Sequence, residues 1–445
     1  MSTQHEGQVE SAVTNPPLWA RPWFVFLVAL ALRLAVVPFL VGDRLNPARD
    51  HWVFGWETAR IACSLASGHG FGSPFFGWTG PTAWMGPVYP ALVAGVFKIF
   101  GIYSAASAYV ILSLNCLFAA LTCFPLHFIA RTAFGKKTAT AAVWAWALFP
   151  YSFDFAAGQV WNTTLSALLF VLAVAVTIAL ERKVDLRRWV IWGVLWAIAG
   201  LTEPALLAGL PVAGLWLCYR LRQRGTPWNF AWRRPPVAAL AFLVVVSPWF
   251  IRNERVFGRF IPFRSNFWLA FYQGNTWDTF DVYPDWANPP HSQAELDDYA
   301  RLGEVAYMAE KKQLAIAEVR EHPARFAWTT LRRIVFTWTG YWNLSAAYRR
   351  IEPFAVPNIV IATLLSAFAA FGLARAFSTA RRFAALFAWL LLVFPAVYYI
   401  THPSMLYRHP LDPLLALLGV SAFTGLGSTH KAEARPREAG MEINA

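Results

Sequence analysis

Apolar stretches long enough to cross a bilayer recur along this 445-residue chain from Pro22 to Gly427, and they constrain its fold more than any other feature. A run of about 20 apolar residues spans the hydrocarbon layer as a helix. The expected spans are Pro22–Val41, Ser104–Ala130, Thr138–Phe153, Gln159–Leu180, Arg188–Thr202, Pro204–Tyr219, Pro235–Ile251, Val356–Phe377, Phe383–Ile400 and Pro410–Gly427. Gly86–Gly101 is apolar but short, so the count is ten if it stays on one surface and eleven if it crosses. The expected fold class is an all-α polytopic membrane protein with two large loops on its outer face.

Composition agrees with that class. Only 14% of residues are charged and 57% are hydrophobic, against about 25% charged residues in a soluble domain. The net charge of +13 does not indicate nucleic acid. Its Lys and Arg gather in short loops between spans, as in cytoplasmic anchoring, with no basic face suited to base stacking. These sets are Arg131, Lys136 and Lys137; Arg182, Lys183, Arg187 and Arg188; Arg220, Arg222, Arg224, Arg233 and Arg234; and Arg375, Arg381 and Arg382. All four fall on one side if Gly86–Gly101 does not cross. The four cysteines have no metal spacing and read as small core residues. Met1–Arg21 lacks the apolar region of a signal peptide and reads as a cytoplasmic tail. The expected organisation is therefore a membrane core over 22–251 that includes an outer loop at 43–85. An outer-face segment over 252–355, C-terminal spans over 356–427 and a disordered tail over 428–445 follow.

Three polar regions meet on the predicted outer side. The first loop carries Asp50 and Glu57 two helical turns apart, with Arg60 close by. Arg33, inside the first span, is costly in hydrocarbon by about 2.5–3.5 kcal/mol and is expected to face the interior and a partner. The second region, Ser247–Asn275, supplies Arg252, Arg264, Asn266, Gln273 and Asn275, groups suited to anions and sugar hydroxyls, with Trp268 and Tyr272 as stacking faces. Farther on, Pro323–Trp342 mixes Arg325, Arg332 and Arg333 with aromatic residues, as an interfacial helix does. In the third region, HPSMLYRHPLDP, Tyr407 and Arg408 can reach a phosphate at headgroup depth. His409 is a candidate substrate ligand there. Without a second ligand at metal spacing no metal site is expected. Glu203, in GLTEPALL, is expected at an outer helix turn.

These motifs, in this order, resemble the GT-C superfamily of lipid-linked-sugar glycosyltransferases. The resemblance lies near the dolichyl-phosphate-mannose protein mannosyltransferases (glycosyltransferase family 39) and the enzymes that put aminoarabinose on lipid A. It rests on ARIACSLASGHGFGSPF, GPVYPALVAGVFKIFG, PWFIRN with FGRFIPFRSN and QGN, and YRHPLDP. It implies a GT-C-like bundle in a bacterial inner membrane, with its site on the periplasmic or extracellular side. The activity implied is transfer of a sugar from a polyprenyl-phosphate donor to an acceptor hydroxyl, with membrane lipids as partners. No cofactor is required, and a divalent metal is left open.

The base is then Glu57 or Asp50. Counting back from Gly68, the family's acidic position falls near Val53, between the two. Arg408, Arg252 and Tyr407 hold the phosphate, while Arg60, Tyr89, Glu203, Arg264, Asn266, Gln273, Asn275 and His409 line the substrate. Gly86-Pro87 stands where the aminoarabinose enzymes have Lys-Pro-Pro, which puts weight on Arg252 and Arg408. The competing class is a transporter or flippase, which predicts repeated halves and broken helices at bilayer depth. The sequence has no internal repeat.

Overall fold

A computed structural model describes residues 16–41, 54–182, 185–226, 234–276 and 285–424. These residues are helical apart from loops and one isolated bridge between Gly72 and Pro81. Among the described residues, seven helices are individually long and apolar enough to cross a membrane: Pro22–Phe39, Ala105–Phe134, Thr163–Arg182, Pro204–Gln223, Pro235–Phe257, Ala355–Thr379 and Arg381–Ile400. The chain is thus a multi-pass membrane protein. Leu186–Thr202 and Asp412–Thr424 are shorter helices at two further predicted spans. The predicted span Thr138–Phe153 is instead broken. Its helix Lys136–Ala147 stops before Pro150 and restarts as Pro150–Phe153, which widens into a π turn over Asp154–Gly158.

That break accounts for Arg33. Its guanidinium is fully buried and donates to the carbonyls of Trp146 (3.1 Å) and Ala147 (3.0 Å), to Ala29 O (3.0 Å) and to Ser152 Oγ (2.8 Å). The orphan carbonyls at a helix C-terminus are partners for a cation. The expected partner is therefore a helix end and a hydroxyl rather than an acid.

The basic loops share one face. Arg220 pairs with Glu181 at 2.8 Å, Trp216 Nε1 donates to Arg382 O at 2.7 Å, and Thr138 meets Thr424 at 2.8 Å. On the opposite face the helix Val88–Phe100 has both its ends. Gly86, just before it, packs on the carbonyl of Leu201, where the Leu186–Thr202 helix finishes. At its other end Phe97 meets Phe54, at the entry to the first loop helix Trp56–Ala66 (ring centroids 5.6 Å). With only 13 residues, about 20 Å of helix, it is shorter than the hydrocarbon layer.

The two large loops build a cap on this loop face. Ile61, Phe75, Trp84 and Met85 of the first loop form a core of their own with Leu269, Tyr299, Tyr307 and Met308 of the second. Phe75, Trp84 and Tyr299 meet edge-on at 4.7 and 4.9 Å, a geometry favoured by ring quadrupoles. Glu304, only 3% exposed, staples the halves together. Its carboxylate accepts from Ala83 N (2.7 Å), Tyr299 OH (2.8 Å) and the Thr82 hydroxyl. Burial raises its pKa, against the lowering effect of these hydrogen bonds.

Two outcomes follow from this packing. A Cβ at Gly86 would run into the Leu201 carbonyl, whereas one at Gly95 meets nothing within 4 Å. Gly86→Ala should therefore lower the melting temperature of the detergent-purified protein, overpacking of this kind costing about 1–3 kcal/mol. Gly95→Ala should not; equal melting temperatures would contradict the close approach. Because Glu304 keeps a proton in the fold at a pH where the unfolded chain has released it, its contribution is present below the ordinary glutamate range. It is lost as pH rises through the folded value. Glu304→Gln should accordingly flatten the fall in melting temperature with rising pH, and an unchanged slope would count against the raised pKa.

Candidate active site

The chain enters the first loop helix through a sharp turn. Gly55 (φ 120°) lies against Val160, and Trp56 takes φ 48°, a strained conformation for a bulky residue. Trp56 is held edge-on by Trp161 at 5.4 Å. The turn sets Glu57 in the first turn of the helix, within reach of its own backbone amide and of the Trp84 indole. Burial raises its pKa; those two hydrogen bonds and the charges of Arg264 and Arg60 oppose the rise. Glu57 is thus a half-buried carboxylate in the field of Arg264 and Arg60.

The first of these cations belongs to the second loop. Arg264 donates through Nε to Trp84 O (2.9 Å) and through Nη1 to Glu203 Oε2 (2.9 Å), while Nη2 approaches Met85 Sδ (3.2 Å). Glu203 sits between the Leu186–Thr202 helix and the turn that follows it, and also accepts from Asn162 Nδ2 at 3.3 Å. Asn162, Glu203, Tyr398 and Tyr407 line one narrow cleft of about 10 Å³. Tyr398 and Tyr407 stack face to face there (4.9 Å, 3°), and His402 Nε2 lies 3.3 Å from the Tyr407 hydroxyl. Among the predicted residues, the structure therefore brings together Glu57, Arg264, Glu203 and Tyr407. Arg60 stands beside them, its guanidinium 3.7 Å above the Phe76 ring. Asp50 lies outside the described residues.

The other predicted residues are held elsewhere. Arg252 is a clamp between the loops: it donates to Thr82 O (2.7 Å), Phe71 O (2.6 Å) and Asn253 Oδ1 (2.9 Å). Arg408 is fully buried, bonded to Asp412 (3.1 Å) and to Thr337 O (3.3 Å). His409 bonds the other oxygen of Asp412 at 2.9 Å, among the rings of Trp146, Phe149 and Phe155. Tyr89 is buried, with its hydroxyl on Asn115 (2.9 Å). Gln273 donates to Ala287 O (3.0 Å), and Asn275 to Ile400 O (2.8 Å) and Phe271 O (2.7 Å). Asn266 caps the Phe267–Asn275 helix without a side-chain bond to it.

Apart from Asn266, each of these side chains is bonded to protein atoms and ties helices or loops together. Gly274 has the same role: only hydrogen fits where it meets the Thr401 carbonyl. Sequence reasoning missed Asn162, which falls in an Asn-Thr-Thr triplet. At 2% exposure it is a buried ligand of Glu203. Asp412 was legible only as the acid of YRHPLDP. No group of three or more metal-ligating side chains occurs among the described residues.

Residues 84–251 match a family model described as dolichyl-phosphate-mannose-protein mannosyltransferase. The match takes in Asn162 and Glu203 but neither Glu57 nor Arg264. The fold is similar to that of the oligosaccharyltransferase of Archaeoglobus fulgidus. The structure of its complex with Zn and sulfate aligns with TM-score 0.52 and 14% identity, over 89% of this chain and 48% of that one. Its apo form gives 0.53 and 14%, over 90% and 50%. The same organism's AglB, in complex with an inhibitory peptide and a dolichol-phosphate, gives 0.51 and 13%, over 90% and 50%. The chain spans about half the length of these proteins, and no curated protein matches its sequence. The chain therefore has a fold similar to that of the archaeal oligosaccharyltransferase, and its residues 84–251 resemble the dolichyl-phosphate-mannose-protein mannosyltransferases.

Proposed function

We propose that this protein is a membrane glycosyltransferase that moves a sugar from a polyprenyl-phosphate donor to a hydroxyl of a lipid, glycan or protein acceptor. The reaction would take place on the non-cytoplasmic face of a plasma membrane. The observation that carries the reading is a half-buried Glu57 carboxyl with a raised pKa, in the field of Arg264, at the junction of both loop-face segments. The family model supports a sugar-transferring activity, and the dolichol-phosphate bound to the AglB structure supports a lipid-phosphate donor. Basic loops gathered on the opposite face support the orientation.

The chemistry asks little of the protein. The acceptor oxygen attacks the anomeric carbon, the bond from that carbon to the phosphate oxygen breaks, and the electron pair leaves with the lipid phosphate. The acceptor proton passes to Glu57. A base works best with its pKa near the working pH, and desolvation moves a carboxylate that way. Arg264 keeps the shift from running too far, and holds Glu203 as a second wall of the cleft. Tyr407 and Tyr398 offer a stacked aromatic face to sugar or lipid, and the Tyr407 hydroxyl can donate to an anion.

Glu57→Gln should lower transfer from a synthetic polyprenyl-phosphate sugar by at least about 100-fold in purified membranes, the usual worth of a positioned base. Asp50→Asn should retain activity. A Glu57→Gln variant as active as the parent would rule out this base, and loss in Asp50→Asn alone would transfer the role. In kcat/KM the acid limb should lie above the ordinary glutamate value. Because Arg264 lowers the Glu57 pKa, Arg264→Gln should move that limb to higher pH, and a limb that stays or moves down would contradict the pairing.

A further inference from the structure

The interfacial helix Pro323–Thr339 presents Trp328, Leu331 and Val335 outward, and Thr329, Arg333 and Thr337 inward at four-residue spacing. Its outer face suits the headgroup layer of a membrane. Arg333, in the middle of the inner stripe, is 6% exposed. A buried cation needs an anion or a full set of acceptors, and the other buried arginines have one or the other. Arg264 has Glu203, Arg220 has Glu181, Arg408 has Asp412, and Arg33 has three carbonyls and a hydroxyl.

Arg333 has neither. Only its Nη1 is bonded, to Asn275 Oδ1 (3.1 Å) and distantly to Tyr399 O (3.5 Å). Its Nε and Nη2 have no partner among the described residues, and no described carboxylate lies within ion-pair distance. Burial alone draws the guanidinium down to about 10, with no opposing charge to offset it. One helical turn along, Arg408 donates to Thr337 O and has a second buried nitrogen, Nη2, without a partner. Asp412 balances only one of these two cations.

This surplus of positive charge adjoins the candidate active site. His402 feels the Arg333 charge and is pushed down to about 4, by burial first and Arg333 second, so it is neutral. Through Nε2 it reaches the Tyr407 hydroxyl, which lines the cleft with Glu203.

We propose that Arg333 is the cation of a phosphate site, its free Nε and Nη2 forming a fork for the phosphate of the lipid carrier. The site rests on the glycosyl-transfer reading, in which a lipid phosphate leaves from this cleft. A planar pair of donors fits two phosphate oxygens. At the depth of an interfacial helix the isoprenoid tail can stay in the bilayer.

The test is binding by the full-length protein in detergent, with farnesyl monophosphate as probe and farnesol as its uncharged counterpart. The parent protein should prefer the phosphate at least tenfold. Arg333→Gln should abolish that preference while farnesol binding persists; a preference that survives in Arg333→Gln overturns the site. If that variant does not fold, Arg333→Lys retains charge without the fork and should bind more weakly than the parent. Equal binding overturns the proposal. Competition by inorganic phosphate as effective as by farnesyl monophosphate would identify a free anion as occupant. Competition only by the lipid phosphate identifies the carrier, and either supports the site. If Glu57→Gln leaves turnover intact while Arg333-dependent binding persists, the catalytic reading fails and the phosphate site stands.

Discussion

A single guanidinium between two carboxylates ties the loop face together. Arg264 bonds Glu203 at 2.9 Å, lies in the field of Glu57 and anchors to the backbone at Trp84. Glu57 comes from the helix after the first span, Glu203 from a turn between two membrane helices, and Arg264 from the segment after Pro235–Phe257. Partly buried charges of this kind are costly unless paired. Their presence therefore fixes how the three segments sit. The aromatic core under the cap and the Glu304 staple hold the same segments from the other side.

How far the chain could be read before folding depends on the kind of information required. The apolar spans and the two polar loops are properties of long stretches, and seven of the described helices are long and apolar enough to cross a membrane, where ten such spans were expected. Pro150 marks where one span breaks. Glu57, Glu203, Arg264 and Tyr407 were identifiable as polar groups flanking the apolar spans. Their mutual distances depend on turns such as Gly55-Trp56, which no periodicity encodes. Arg252, Tyr89, Gln273 and Asn275 looked equally suited to a ligand, yet their donors go to protein oxygens. Residue type reveals a donor and says nothing about which acceptor takes it.

The arginines make the same point in terms of charge. Five buried or partly buried guanidinium groups are paired with carboxylates or with helix-end and loop carbonyls, Arg408 with one nitrogen left over: Arg33, Arg220, Arg252, Arg264 and Arg408. Arg333, on a helix that sequence alone describes as merely interfacial, is the exception. Reading its burial requires the packed neighbours Asn275 and Tyr399, which are far away in the chain.

An experimental structure with a non-transferable polyprenyl-phosphate sugar analogue would decide where the chemistry takes place. The account predicts the anomeric carbon beside the Glu57 carboxylate, the sugar against Glu203 and Tyr407, and the phosphate on Arg333. The larger groove of about 880 Å³ between Trp78–Pro81 and Gly303–Gln313, lined by Arg259 and Glu310, is the alternative location. An analogue bound there, with the Glu203–Tyr407 cleft closed, would contradict it.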